Sequence, residues 1–247
     1  MYFEVPGCNL RVLGSLHAVP ASSARMPWWV DEAYGWCERL VHEHDQSEVM
    51  RCTHADRPLR EILRPATWDA LCAALPDDAV RTAFNRLRPW AAMSRLPSTL
   101  VAPEPGVESL LLPRAAEDGK AVLSLESGEE LRQTFDGVPL AVVEEAIERS
   151  LRDPLQLRRR LESLHGAWLS RNRSAVLTVT EASAIFEHPA LREAGLLRRN
   201  RAWAPRVRRL MASPQRTLVV VGVSHLCGPG NLEECLGVTL VPVLASQ

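Results

Sequence analysis

Gly14-Ser15-Leu16-His17 and Gly222-Val223-Ser224-His225 repeat one pattern, Gly-x-x-His, near the two ends of the chain. Each follows an apolar run that reads as a strand, Leu10 to Leu13 before the first and Thr217 to Val221 before the second. Two strands ending this way can deliver two imidazoles to one place, however far apart they lie in sequence. Glycine at a strand end permits a tight turn or a close backbone approach, and the rim of the sheet is where α/β proteins build their sites. Two further strand-like runs, Arg39 to Glu43 and Ala121 to Glu126, end in a carboxylate. If all four share a sheet and run the same way, their ends converge. Two imidazoles and one or two carboxylates suit zinc, manganese or cobalt with coordination positions to spare. Such an ion makes a nucleophile from water at neutral pH, and a remaining glutamate can act as general base.

The elements that must position these groups alternate between strand and helix. Residues 2–5 and 10–13 flank the turn cluster Pro6-Gly7-Cys8-Asn9 and predict a hairpin leading into the first Gly-x-x-His. A helix is expected over Met26 to Trp36, starting at Pro27, followed by the short strand Arg39 to His44. Short helices fill 58–96; Thr67 is the expected N-cap of one, with Trp68, Leu71 and Leu75 on one face. Val101 to Gly106 reads as a loop before a helix through Leu112 and Ala116. Residues 139–168 are mostly helical, and 180–211 give more helix, broken near Gly195. The chain ends with a strand at 217–223, a helix over Asn231 to Leu236 and a closing strand at 238–243. The expectation is one α/β domain over 1–247, a central sheet with a helical insertion; 58–118 and 128–211 are its mostly helical parts.

Strand alternation puts Glu43 on the opposite face from His42 and His44, so those histidines are not expected to share a metal with it. Glu126 closes an apolar strand, where an unpaired charge is costly, so it needs solvent or a partner. Trp90, Trp168 and Trp203 read as packing residues. Ser15 and Ser224 lack the context of a serine nucleophile.

Net charge is −1, which gives no global attraction to nucleic acid or a membrane surface, and neither is expected as a partner. Lys120 is the single lysine; arginines cluster at 157–160 and 198–209 and read as solvated helix faces, although the second cluster could face a partner, and a homodimer is left open. No apolar run approaches the ~20 residues of a membrane span. Met1 to Gly7 has neither a basic region nor a long apolar core, so it reads as a first strand and not a secretory signal, and a cytoplasmic location is expected. The six cysteines show no C-x-x-C spacing and are expected as free thiols, Cys227 near the second motif included.

Taken in order, these landmarks resemble the TraB/PrgY/GumN family, whose eukaryotic relatives include the Tiki proteases. Gly14 to His17 with Pro20 resembles its first Gly-x-x-His, and Leu40-Val41-His42-Glu43 the strand carrying its first glutamate. Arg88-Pro89-Trp90 resembles a Pro-Trp landmark. Gly106-Val107-Glu108, Gly119-Lys120 and Leu125-Glu126-Ser127 resemble its Gly-Val-Asp … Gly-Lys … Leu-Glu-Thr stretch, with glutamate where aspartate is usual. Arg199-Asn200 with Trp203 resembles Arg-Asn-x-x-Trp, and Val221 to Gly228 the closing Val-Gly-x-x-His-Leu-x-Gly. The resemblance implies a metal-dependent hydrolase of peptides or other small amides or esters. Its site would hold a manganese, cobalt or zinc ion on His17 and His225 with Glu126 or Glu43, the other glutamate activating water, so that Glu43, Glu126 and Arg199 are catalytic and Gly14, Gly222 and Asn200 support them. Arg199 would pair with a glutamate or stabilise a developing oxyanion. Erythromycin esterase and haem-binding ChaN-like proteins are wider relatives in which fold and chemistry separate. They keep two alternatives open: a peptide- or haem-sequestering protein without turnover, and a metal-free hydrolase with a histidine base.

Overall fold

The computed structural model describes residues 1–21 and 26–244. Eight strands occur among them: β1 (Tyr2–Glu4), β2 (Leu10–Ser15), β3 (Ala18–Val19), β4 (Arg39–His44), β5 (Glu104–Pro105), β6 (Ala121–Glu126), β7 (Thr217–Gly222) and β8 (Val241–Pro242). Six of them form one sheet in the order β6-β4-β7-β2-β1-β8, and β3 pairs with β5 in a small second sheet. β2 is parallel to β7, β7 to β4 and β4 to β6, while β1 runs antiparallel to β2 and β8. Four neighbouring strands therefore end on the same edge, as the two histidine and two carboxylate endings require. Registers Ser15↔Gly222 and His44↔Glu126 hold those ends level in pairs.

The sequence accounts for this order. Every residue of β7, Thr-Leu-Val-Val-Val-Gly, is buried; a run apolar on both faces fits the middle of a parallel sheet covered on both sides. The hairpin β1–β2 pairs Tyr2 with Leu13 across the Pro6-Gly7 turn, where Gly7 has φ +81°. One apolar core surrounds the sheet, with Trp168 and Trp203 fully buried within it; a second lies among helices drawn from 59–96, 131–147 and 191–194, around Leu59, Phe84 and Met93. Among the described residues no helix is long and apolar enough to cross a membrane.

Several elements differ from the sequence reading. The helix containing Thr67 starts at Pro65; Thr67 lies inside it and its hydroxyl donates to Glu148 Oε1, because Pro65 takes the first helical position, where a missing N–H costs nothing. The first long helix runs over Trp28–Trp36 with Pro27 just before it. A helix at Gln46–Cys52, capped by Asp45, went unforeseen. The closing strand shrinks to Val241–Pro242. Near Gly195 the helix does not break: Glu193–Leu197 form a π turn that runs on into the helix Arg198–Met211.

The loop at 101–106 contains β5, which seats the first histidine. Gly106 N donates to His17 O and Val107 N to Leu16 O. A Cβ on Gly106 would stand 1.8 Å from Leu16 O and 2.4 Å from His17 C, so only glycine fits. Gly106→Ala is expected to cost about 1–3 kcal/mol or more, as overpacking against backbone does. Urea unfolding checks it; an unchanged midpoint would contradict the close approach.

Candidate active site at the sheet edge

Glu43 is the centre of the site. Its side chain is 4% exposed. Oε1 accepts from Gly222 N at 2.6 Å, and Oε2 accepts from Arg199 Nη2 at 2.5 Å. His17 Nε2 and His225 Nε2 stand 3.6 and 3.8 Å from the same Oε1. Burial opposes ionisation of Glu43, but the positive charge of Arg199, joined by that of His17, outweighs it and holds its carboxyl well below the usual range.

Each imidazole is oriented through its Nδ1. Asn200 Nδ2 donates to Gly230 O at 2.9 Å, which fixes the amide and turns its Oδ1 to His225 Nδ1 at 2.7 Å. Nδ1 therefore carries the proton, and the Nε2 lone pair faces Glu43 and the cleft. Burial drives the His225 pKa down to about 3, so the ring is neutral. His17 Nδ1 lies 3.1 Å from Glu108 Oε1, and Glu108 also accepts from the Ser15 hydroxyl. The Glu108 charge, partly offset by burial and joined by its hydrogen bond and by Glu43, raises His17 to about 9. The His17 side chain is 61% exposed against 4% for His225, so His17 faces the open side of the site and solvent weakens its pairing.

Arg199 is reached through the π turn. Its Nη1 donates to Gly195 O at 3.2 Å, and its Nε and Nη2 donate to Glu126 Oε1 at 2.9 and 2.5 Å. The guanidinium is thus shared between Glu43 and Glu126. Trp203, one turn on, lies under it at 4.5 Å and also meets the His225 ring at 4.5 Å. The Arg-Asn-x-x-Trp spacing is explained: Arg199 and Trp203 share a helix face, and Asn200 holds the histidine beside them.

Glu126 touches Arg199 and His44 but neither motif imidazole among the described residues. His44 Nδ1 is 3.5 Å from Glu126 Oε1 and is buried without a hydrogen-bond partner. Glu43, His44 and Glu126 offer ligand atoms within 4.8 Å of one another. His44 and Glu43 thus come near each other at the strand end although they leave the strand from opposite faces. Alternation fixes the face from which a side chain leaves, but His44 and Glu126 are the last residues of adjacent strands and both reach the edge. His42 does point away, toward the Ser124 hydroxyl at 3.4 Å. The sequence reading also gave Glu108 no role in the site; its place two residues after the Gly106 contact is the signal that could have found it. The two motif glycines serve close approach and not turning, since neither has positive φ. A Cβ on Gly222 would meet His17 Nε2 at 3.0 Å and Glu43 Oε1 at 3.2 Å; one on Gly14 would meet Leu226 and Val223. Cys227 gives its thiol to Val223 O and is pushed up to about 11 by burial. The Ser224 hydroxyl pairs with Thr180 and that of Ser15 with Glu108, so neither is set up as a nucleophile.

These residues fit a divalent cation. Glu43, Glu108 and Glu126 bring three buried carboxylates against Arg199 and the protonated, solvent-facing His17, and the negative charge left over is expensive to bury. The neutral His225 turns its Nε2 lone pair toward the Glu43 oxygen at 3.8 Å, and Arg199 Nη1 stands 3.4 Å from the same nitrogen, so the guanidinium already lies beside the pair that a divalent cation would join. Both motif histidines have the outer-shell anchor on Nδ1 that metal-binding imidazoles use. His17, His225 and Glu43 could hold the ion; Glu126 and His44 offer a second place, which Arg199 already bridges.

The site opens into a cleft of about 510 Å³. His17, Glu43, His44 and His225 line one wall, and Trp90, Leu131 and Phe135 from the second core line the other. Trp90 is mostly buried, stacked on Phe135 at 5.3 Å. A model of the TraB/PrgY/gumN family matches residues 4–238. No curated protein and no solved structure matches the chain.

In the metal-stripped protein at pH 5, His225 is expected to be the neutral Nδ1–H tautomer, although a free imidazole, with pKa about 6.5, would be almost fully protonated there. Nitrogen-15 spectra of labelled histidine read this directly. Protonation of His225 with a midpoint near 6.5 would contradict the buried geometry.

Proposed function

The chain belongs to the TraB/PrgY/gumN family, and on that footing we propose that it is a metal-dependent hydrolase acting on peptides or other small amides or esters. The observation that carries the proposal is the convergence of two Nδ1-anchored imidazoles on one buried carboxylate oxygen, at 3.6 and 3.8 Å. Manganese, cobalt or zinc suits that donor set. His17, His225 and Glu43 would hold the ion, which supplies Lewis acidity and a nucleophile at neutral pH.

The protein's own groups divide the remaining work. His225 is kept neutral by burial and aimed by Asn200. His17 is aimed by Glu108 and closes the open side of the site. Arg199 holds Glu43 in place and sets a fixed positive charge beside the cleft, where it favours negative charge developing on a substrate oxygen. His44 lines the cleft with Nδ1 turned to Glu126, so its other ring nitrogen is the one left to take a proton from water, with Glu126 stabilising the imidazolium. Glu126 is then a positioning residue for both Arg199 and His44.

The test is a panel of capped peptides and simple esters assayed with manganese, cobalt and zinc, together with metal-binding measurements. Wild type is expected to turn over at least one member with metal and none in EDTA. His44→Ala and Glu126→Gln are expected to lower kcat by about 10²–10⁴-fold, the usual contribution of a general base, while keeping metal affinity. Glu43→Gln is expected to lose both. Capture of peptide without product under any metal would overturn the hydrolase reading, and full activity of His44→Ala would remove that residue from the mechanism.

A further inference from the structure

Beside the polar cleft lies a second cavity of about 220 Å³, walled almost entirely by apolar atoms. It is next to the candidate site. Ala18 follows His17 and Ser224 precedes His225, and both contribute to its wall; Pro97, Leu161, Leu164 and Phe186 line this cavity and the cleft alike. Val101, Leu157, Val179 and Ala184 add to its apolar lining.

Four of its five hydroxyls already have partners, Ser183 Oγ accepting from Phe186 N at 3.0 Å among them. Thr180 and Ser224 hydrogen-bond to each other at 2.9 Å, and Ser150 donates to Ala146 O at 2.9 Å. The one charged side chain on the wall is Arg160. An apolar cavity of ~150 Å³ already accepts a benzene ring, so this one has room for one large side chain. The surface here is neither a flat patch nor a groove with an open choice of occupant, because whatever fills it must also lie against both histidine loops.

We propose that this cavity is the specificity subsite of the enzyme, and that it takes a leucine- or phenylalanine-sized side chain of a peptide whose reacting carbonyl lies at His17 and His225. The proposal rests on the hydrolase reading for the word substrate, but the cavity's selectivity can be read without turnover. Discrimination follows from burial: a site that encloses an apolar side chain gains about tenfold or more over one lacking a methylene or two. Basic side chains are rejected because nothing in the wall pairs them, and the one charge offered to an acidic side chain is that of Arg160.

The experiment compares the full-length chain with Ala184→Phe and Val179→Trp, which fill the cavity from two different walls. Neither residue belongs to the proposed catalytic set. Capped peptides identical except for glycine, alanine, leucine, phenylalanine, lysine or aspartate at one position, placed in turn along the peptide, are assayed for kcat/KM with metal. Their binding is measured by calorimetry in EDTA, and thermal melts show which variants fold. At one position leucine and phenylalanine are expected to exceed alanine by about tenfold or more, in kcat/KM and in binding, and either folded variant is expected to erase that preference while glycine and alanine peptides stay within about twofold. Selective binding lost in the variants, with no turnover, would support the subsite and overturn the hydrolase reading. Turnover without apolar preference at any position, or a preference that survives in a folded filled variant, would overturn the subsite and leave the hydrolase reading standing. Neither binding nor turnover with any peptide would overturn the subsite as well.

Discussion

A carboxylate can be buried at the end of a parallel sheet only if each oxygen finds a partner. Glu43 meets that condition with the backbone N–H of Gly222 on one oxygen and the guanidinium of Arg199 on the other, while imidazoles from opposite ends of the sequence stand 3.6 and 3.8 Å from the first. Removing one partner from a buried ion pair costs about 3–5 kcal/mol, a large share of the ~5–15 kcal/mol that holds a domain folded. The requirement explains features otherwise unconnected. A side chain at Gly222 would crowd His17 Nε2 and Glu43 Oε1, which stand 3.0 and 3.2 Å from its Cβ position. The π turn at Glu193–Leu197 brings Arg199 inward, and a single widened turn of this kind is common at functional sites.

Four parallel strand ends supply a scaffold, and the outer contacts supply direction. Asn200 and Glu108 are not among the residues that would hold the ion, yet they decide which nitrogen of each histidine faces Glu43. Glu108 is in turn placed by Gly106, whose backbone lies on that of Leu16 and His17. The helical part contributes the far wall of the cleft through Trp90 and Phe135, so the apolar environment that strengthens charge interactions at the sheet edge comes from a second core.

Much of this was legible in the sequence. The all-apolar β7, the two Gly-x-x-His endings and the two carboxylate endings state a parallel sheet with a polar edge, and the structure has that sheet. Residues reached by tertiary contact were harder to read. Glu108 lies on a helix and carries no strand-end signal, and its role depends on an approach of two backbones that no local pattern records. His44 was set aside by alternation, a rule for faces that does not govern the last residue of a strand. Thr67 was misread because a cap preference was weighed above the proline two residues earlier. Lys120, the single lysine, donates to Tyr34 O and Cys37 O, both at 2.7 Å, and ties the start of β6 to the helix Trp28–Trp36 and the residue after it, a tertiary role its local sequence does not state.

The account stands on the claim that His17, His225 and Glu43 form a metal site. Metal content of the freshly purified protein, by mass spectrometry beside a His17→Ala/His225→Ala double variant of preserved fold, tests it most directly. Near-stoichiometric divalent metal in the wild type, lost in the variant, is the predicted result. No metal in the wild type, even after reloading with manganese, cobalt and zinc, or equal metal in both proteins, would contradict it.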